Sequence, residues 1–197
     1  MTVALDWVCG IGWSLAYVTA IIIGFRYKSY CIPRLSICMN LSWEFWVVIS
    51  RMQSASSFSS GYVSQLLWLS LDMIVLLTWF LYDRELRVVT KFSILSSIFI
   101  VLFVWAFVYD GWLSSVFVIN LVMSIEFVLT VGKNKISNSL LIALFKLIGT
   151  TAATVLNGIL NWNPGVLWCG GCCLILDMWY IICLVNKQKE VFDEKIN

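Results

Sequence analysis

Five ionisable side chains stand inside stretches that otherwise read as apolar: Glu44, Asp72, Glu126, Lys146 and Asp177. An ionisable group at bilayer depth is costly, tends to face the protein interior, and marks a functional site by default. Glu44 belongs to Asn40-Leu41-Ser42-Trp43-Glu44-Phe45, where the four-residue spacing of Asn40 and Glu44 puts an amide and a carboxyl on one helix face. One lysine cannot balance four acids, so some of these carboxyls must be protonated or face water. A carboxyl kept uncharged among apolar groups is a stored proton donor. The chain has no histidine, which leaves proton transfer to Asp, Glu, Lys, Tyr or Cys. A plainer reading competes: Lys146 with Glu126 or Asp177 would make a buried ion pair that does no chemistry.

The elements that must position these groups are membrane spans. Of the 197 residues, 61% are hydrophobic and only 12% charged, and mean hydropathy is +0.91. That is too little charge to wrap a water-exposed surface, so the chain reads as one all-α integral-membrane domain over residues 1–197. Seven apolar segments cover about 7–25, 35–50, 62–82, 92–108, 112–131, 138–160 and 164–186, each near the ~20 residues that cross a bilayer core. The first reads as a span and not a signal peptide, because it lacks a basic n-region, carries Asp6, and is long enough to cross. A polar loop with Ser54, Ser56, Ser57, Ser59 and Ser60 separates the second and third.

Basic residues orient the bundle. Arg26, Lys28, Arg34, Arg84, Arg87, Lys91, Lys133, Lys135, Lys187, Lys189 and Lys195 all fall on one side, and only Arg51 on the other. The positive-inside rule then places the N-terminus outside and the tail in the cytoplasm. Counted from their cytoplasmic ends, Glu44, Lys146 and Asp177 lie roughly 12–14 Å deep. Three helices thus bring titratable groups to one level, which predicts a shared pocket. Spans one to three and five to seven run in the same directions, allowing a 3+1+3 parallel repeat; Leu71-Asp72-Met73 and Leu176-Asp177-Met178 are 105 residues apart.

The remaining chemistry-bearing residues are less specific. Of the 11 Trp, Trp7, Trp112 and Trp162 fall near span ends, as in an interfacial belt. Trp43, Trp46, Trp68, Trp105, Phe127, Trp179 and Tyr180 lie deep, where aromatic rings pack or line a cavity that holds a cation. Cys169, Cys172 and Cys173 crowd into Cys-Gly-Gly-Cys-Cys. A Cys-x-x-Cys pair suits redox or zinc chemistry, but without histidine or a second pair the small residues read better as a close helix contact. The net charge of +2 forms no basic stripe, so a nucleic-acid partner is not expected.

Five motifs, in order along the chain, resemble the small integral-membrane terpene cyclases of fungal meroterpenoid and indole-diterpene pathways and their bacterial relatives. They are Asn40-x-x-Trp43-Glu44, Trp68-x-x-x-Asp72, Asn120-x-x-Met123-Ser124-x-x-Phe127, Lys146-x-x-Gly149-Thr150 and Asp177-x-x-Tyr180. The resemblance implies that Glu44 and Asp177 initiate cyclisation, with Asn40, Trp43, Trp68, Asp72, Asn120, Met123, Ser124, Phe127, Lys146, Thr150 and Tyr180 around the substrate. Glu126 departs from the family pattern. The resemblance further implies a lipophilic prenylated substrate, drawn from the lipid bilayer and supplied by an upstream prenyltransferase and epoxidase. No metal or other cofactor is expected, because the chain carries no Asp-rich diphosphate-binding motif. The enzyme would be multi-pass, in a bacterial cytoplasmic membrane or the endoplasmic reticulum. A small seven-helix carrier of the proton-coupled or sugar-efflux kind is the rival class. Against it, both prolines, Pro33 and Pro164, fall outside span centres, where a rocking carrier would use them as hinges. A purely structural role would leave the buried carboxyls without a purpose.

Overall fold

A computed structural model describes residues 2–52, 60–109, 112–131, 133 and 136–196. Among them the chain forms seven α-helices: α1 (Thr2–Tyr27), α2 (Arg34–Met52), α3 (Ser60–Tyr82), α4 (Val88–Tyr109), α5 (Trp112–Thr130), α6 (Leu140–Thr154) and α7 (Pro164–Ile196). A π-helical turn over Val155–Leu160 continues α6. The all-helical, seven-segment architecture expected from hydropathy is the one observed. Three helices outrun their apolar stretches by four residues or more: α1 begins at Thr2, α4 begins at Val88 and α7 continues to Ile196. Hydropathy marks the lipid-crossing part, whereas good helix formers such as those in Lys187-Gln188-Lys189-Glu190 carry the winding further. The serine-rich loop lies largely outside the described residues, as do the side chains of Trp112, Lys135 and Lys195.

Among the described residues, five helices are long and apolar enough to cross a membrane, over Thr2–Tyr27, Val63–Tyr82, Val88–Trp105, Leu140–Leu160 and Pro164–Lys189. The apolar part of α5, Ser115–Thr130, is shorter, and α2 is the least apolar because it carries Asn40, Ser42, Glu44 and Arg51. The usual distribution of polarity is inverted. Ile22, Leu67, Ile100, Val101 and Ile175 are exposed, while Ser42, Asp72, Ser124, Lys146 and Asp177 are buried. Only an apolar solvent makes that arrangement favourable, and the chain is a membrane protein.

Small residues set the closest helix approaches. A Cβ on Gly12 of α1 would come within 2.9 Å of the Gly149 backbone nitrogen of α6, and one on Gly170 of α7 would collide with Thr154 Oγ1. Within Cys-Gly-Gly-Cys-Cys it is Gly170 that makes the close contact between α7 and α6, whereas Gly171 faces open space, and the three cysteines are free thiols. Helix α2 packs on α3, α4 and α5; α7 packs on α5 and α6.

The first, third and fifth connections meet at one end of the bundle. Ser137 N–H donates to the Tyr30 carbonyl at 3.2 Å, and the Ser29 and Ser137 hydroxyls lie 2.5 Å apart. Arg34 at the start of α2 pairs with Asp83 after α3 at 2.7 Å and with Glu85. Lys91 is only 1% exposed and donates to the Trp79, Phe80 and Asp83 carbonyls at 3.2, 3.0 and 2.5 Å. It therefore ties off the C-terminal end of α3, where a cation also suits the helix dipole. Glu126 acts in a comparable way at the opposite kind of helix end. Its Oε2 accepts from Ser36 N–H at 2.8 Å and Ser36 Oγ at 2.5 Å, so an acid from α5 caps the N-terminus of α2.

Candidate active site

A cavity of about 160 Å³ lies inside the bundle. Cys9, Trp13 and Tyr17 line it from α1, Asn40, Trp43 and Glu44 from α2, Trp68 from α3, and Val116, Phe117, Asn120 and Met123 from α5. Ala153 of α6 and Asn157 of the π turn close it. Most of these positions belong to the halves of their helices remote from the cross-tied connections. The indole N–H groups of Trp43 and Trp68 are donated away from the hollow, to Ser115 Oγ at 3.0 Å and Ser14 Oγ at 3.1 Å. Their rings are left as apolar, electron-rich wall.

Glu44 is 4% exposed, and its Oε2 has no hydrogen-bond partner among the described residues. Its helical neighbour Asn40 donates through Nδ2 both to the Tyr17 hydroxyl and to Asp72 Oδ2, the latter at 2.8 Å. Asp72 is 1% exposed and stands behind Asn40, outside the cavity lining. Tyr17, Asn40 and Asp72 thus form one buried polar chain beside Glu44. Across the hollow, Asn120 donates to Thr150 Oγ1 at 3.0 Å, and its Oδ1 is also buried without a partner among the described residues.

The single-level pocket expected for Glu44, Lys146 and Asp177 divides in two. Lys146 Nζ lies 2.7 and 2.8 Å from the two Asp177 oxygens and 2.7 Å from Ser124 Oγ. Neither Lys146 nor Asp177 lines the cavity. Helix bounds supply the reason: α6 begins at Leu140, six residues before Lys146, and α2 at Arg34, ten before Glu44. That difference is about 6 Å of helical rise, a full turn.

Of the other expected pocket residues, Asn40, Trp43, Trp68, Asn120 and Met123 line the hollow, and Thr150 orients Asn120 from outside it. Phe127 and Tyr180 do not line it. Their rings meet at a 39° tilt with centroids 5.1 Å apart, and Tyr180 donates to Asn138 Oδ1 at 3.0 Å near the tied end. Trp179 is 57% exposed and faces outward. Trp46 packs on Phe99 and Phe103 between α2 and α4.

Sequence reasoning missed Tyr17, Trp13 and Asn157. A signal existed for each: an amide in an apolar segment is as conspicuous as a charge, and Trp13 and Tyr17 share a face at four-residue spacing. Trp13 also rests on Gly149, where an added Cβ would meet its Cδ1 at 2.7 Å, so this glycine makes room for one wall of the hollow.

Comparison with known proteins agrees with this architecture. The model for Pyr4-like transmembrane terpene cyclases matches residues 1–190, and the chain belongs to that family. A Pyr4-family terpene cyclase, mfmH of Annulohypoxylon moriforme, is 32% identical over 76 residues. That match covers 39% of this chain and 30% of the relative.

Proposed function

We propose that the chain is a membrane-embedded terpene cyclase, and that Glu44 protonates the terminal epoxide or alkene of a prenyl chain held in the aromatic hollow. One observation carries this reading: Glu44 is buried on the wall of a cavity, with Oε2 unpartnered among the described residues. Family membership supports it, as does the terpene-cyclase name of the fungal relative; the carrier alternative draws no support from either.

The step balances within substrate and protein. Glu44 gives its proton to the epoxide oxygen, the carbon–oxygen bond breaks, and the π electrons of the next alkene close a carbon–carbon bond. Positive charge then moves along the skeleton past the faces of Trp13, Trp43 and Trp68, which stabilise it. Exclusion of water protects the cation from early capture. Loss of a proton from carbon, to the Glu44 carboxylate or to water, restores an alkene and leaves an isomer of unchanged mass. The Tyr17–Asn40–Asp72 chain fixes the face of α2 from which Glu44 projects.

At about 160 Å³ the hollow is smaller than the ~300–1,000 Å³ of a drug-sized site. It suits the reacting end of the substrate, with the remainder lying among the helices. A lipophilic prenylated aromatic or indole fits that requirement, and a prenyltransferase and an epoxidase would have to act before this enzyme. We assign the tied connections and the C-terminal tail to the cytoplasm and the N-terminus to the outside, on the excess of basic residues at that end. A repeat of α1–α3 in α5–α7 is supported by matching neighbours: α2 packs on α3 and α5 as α6 packs on α7 and α1.

The test is expression with an epoxidised prenyl-aromatic or prenyl-indole substrate, followed by a search for an isomer of the same mass. Wild type should form it and Glu44→Gln should not. Cyclisation by Glu44→Gln at close to the wild-type rate sinks the assignment.

A further inference from the structure

We propose that Asp177 is a positioning residue, the fixed counter-ion of Lys146, and that the pair steadies Trp13 as a cavity wall while masking the ammonium charge from the cation formed inside. Asp177 then donates no proton, in contrast to the role that the resemblance implies for it. The proposal rests on the cyclase reading for what the pair protects, but its geometry stands alone.

An ammonium has three N–H donors. Those of Lys146 go to both oxygens of Asp177 and to Ser124 Oγ, all within 2.7–2.8 Å. Both side chains of the pair are 2% exposed. Both oxygens of Asp177 are thus engaged by one ammonium. Neither member of the pair lines the hollow.

What does line the hollow is Trp13, and Lys146 Nζ lies 5.8 Å from the centre of its ring. The indole is also seated on Gly149. Trp13 therefore stands between the ammonium and the cavity, with α5, α6 and α7 joined behind it through Ser124, Lys146 and Asp177. Two like charges this close repel strongly in a medium of low dielectric. A bare ammonium behind Trp13 would oppose the carbocation in front of it, and Asp177 cancels that field.

Rescue separates this role from proton donation. Asp177→Asn alone exposes the lysine charge and should lower turnover on the order of 100-fold, the scale of a misplaced catalytic geometry. The uncharged double variant Lys146→Met with Asp177→Leu removes the need for a counter-ion and should return to within roughly tenfold of wild type. A double variant as inactive as Asp177→Asn, yet equally stable in a detergent melt, overturns the proposal. Infrared spectra without substrate give a second reading that needs neither turnover nor the double variant. The protonated-carboxyl band should weaken in Glu44→Gln and persist in Asp177→Asn; its loss in Asp177→Asn also overturns the proposal. If the wild type cyclised no prenyl substrate, the function reading would fail while the infrared comparison still decided the state of Asp177.

Discussion

Two buried acid clusters stand in this bundle, and they use the same residue types differently. Beside Glu44 the hollow is lined by an amide, a phenol and indole rings, with Asp72 behind the amide and an empty volume alongside. Around Asp177 there is a cation at 2.7 Å, and the side chain lies outside the lining of that volume. What decides whether a buried carboxyl can do acid chemistry is therefore its company. Residue type is shared by both clusters and does not discriminate between them.

The sharpest way to break that contrast is Glu44→Gln, which keeps shape and removes the acid. Cyclisation measured on detergent-solubilised protein should fall by about 10²–10⁴-fold, the range for loss of a general acid. Asp72→Asn should cost less, on the order of 10- to 100-fold in turnover, because Asp72 acts through Asn40; misplaced geometry sets the upper end of that range. If Asp72→Asn instead matched Glu44→Gln, the proton would belong to the polar chain as a whole.

Gly149→Ala probes the wall between the clusters. Its new methyl meets Trp13 Cδ1 at 2.7 Å, and overpacking of this kind costs about 1–3 kcal/mol. A lower melting midpoint with a raised KM is expected; an unchanged KM would mean that Trp13 does not shape the hollow. Glu126→Gln weakens the cap on α2 and should cost about 1 kcal/mol in a thermal melt, with turnover retained. The smallest effect belongs to Cys169→Ser with Cys172→Ser. Both thiols are free, and a shift within about 0.5 kcal/mol with full activity is expected. Loss of activity there would revive the redox reading.

Much of the fold was legible because lipid imposes a simple rule. Each span must be apolar along its length, so Leu140–Leu160 and Val88–Trp105 announce themselves. The Asn40–Glu44 face was equally plain, since two polar groups at helical spacing stand out against apolar surroundings. Which carboxyl meets which partner was not legible. That depends on where α6 starts relative to α2, and a shift of a few residues moves Lys146 by a turn. Nor does the sequence distinguish Lys91, which binds carbonyls in a buried site, from a lysine exposed to water at the membrane surface. Both satisfy the charge count equally well. The aromatic positions failed for another reason: Trp43 and Trp179 look alike as letters, and only helix rotation sends one inward and the other to lipid.

The π turn at Val155–Leu160 brings a different variable into the shaping of this site. Asn161 and Asn163 donate to carbonyls five residues earlier, Leu156 and Gly158, the winding produced when a regular helix gains a single residue. Deleting one residue from that turn would restore regular winding and swing everything beyond it through about 100°, Pro164 and the start of α7 included. The shape of the chamber is thus open to change in chain length as well as to substitution, through the segment that carries Asn157.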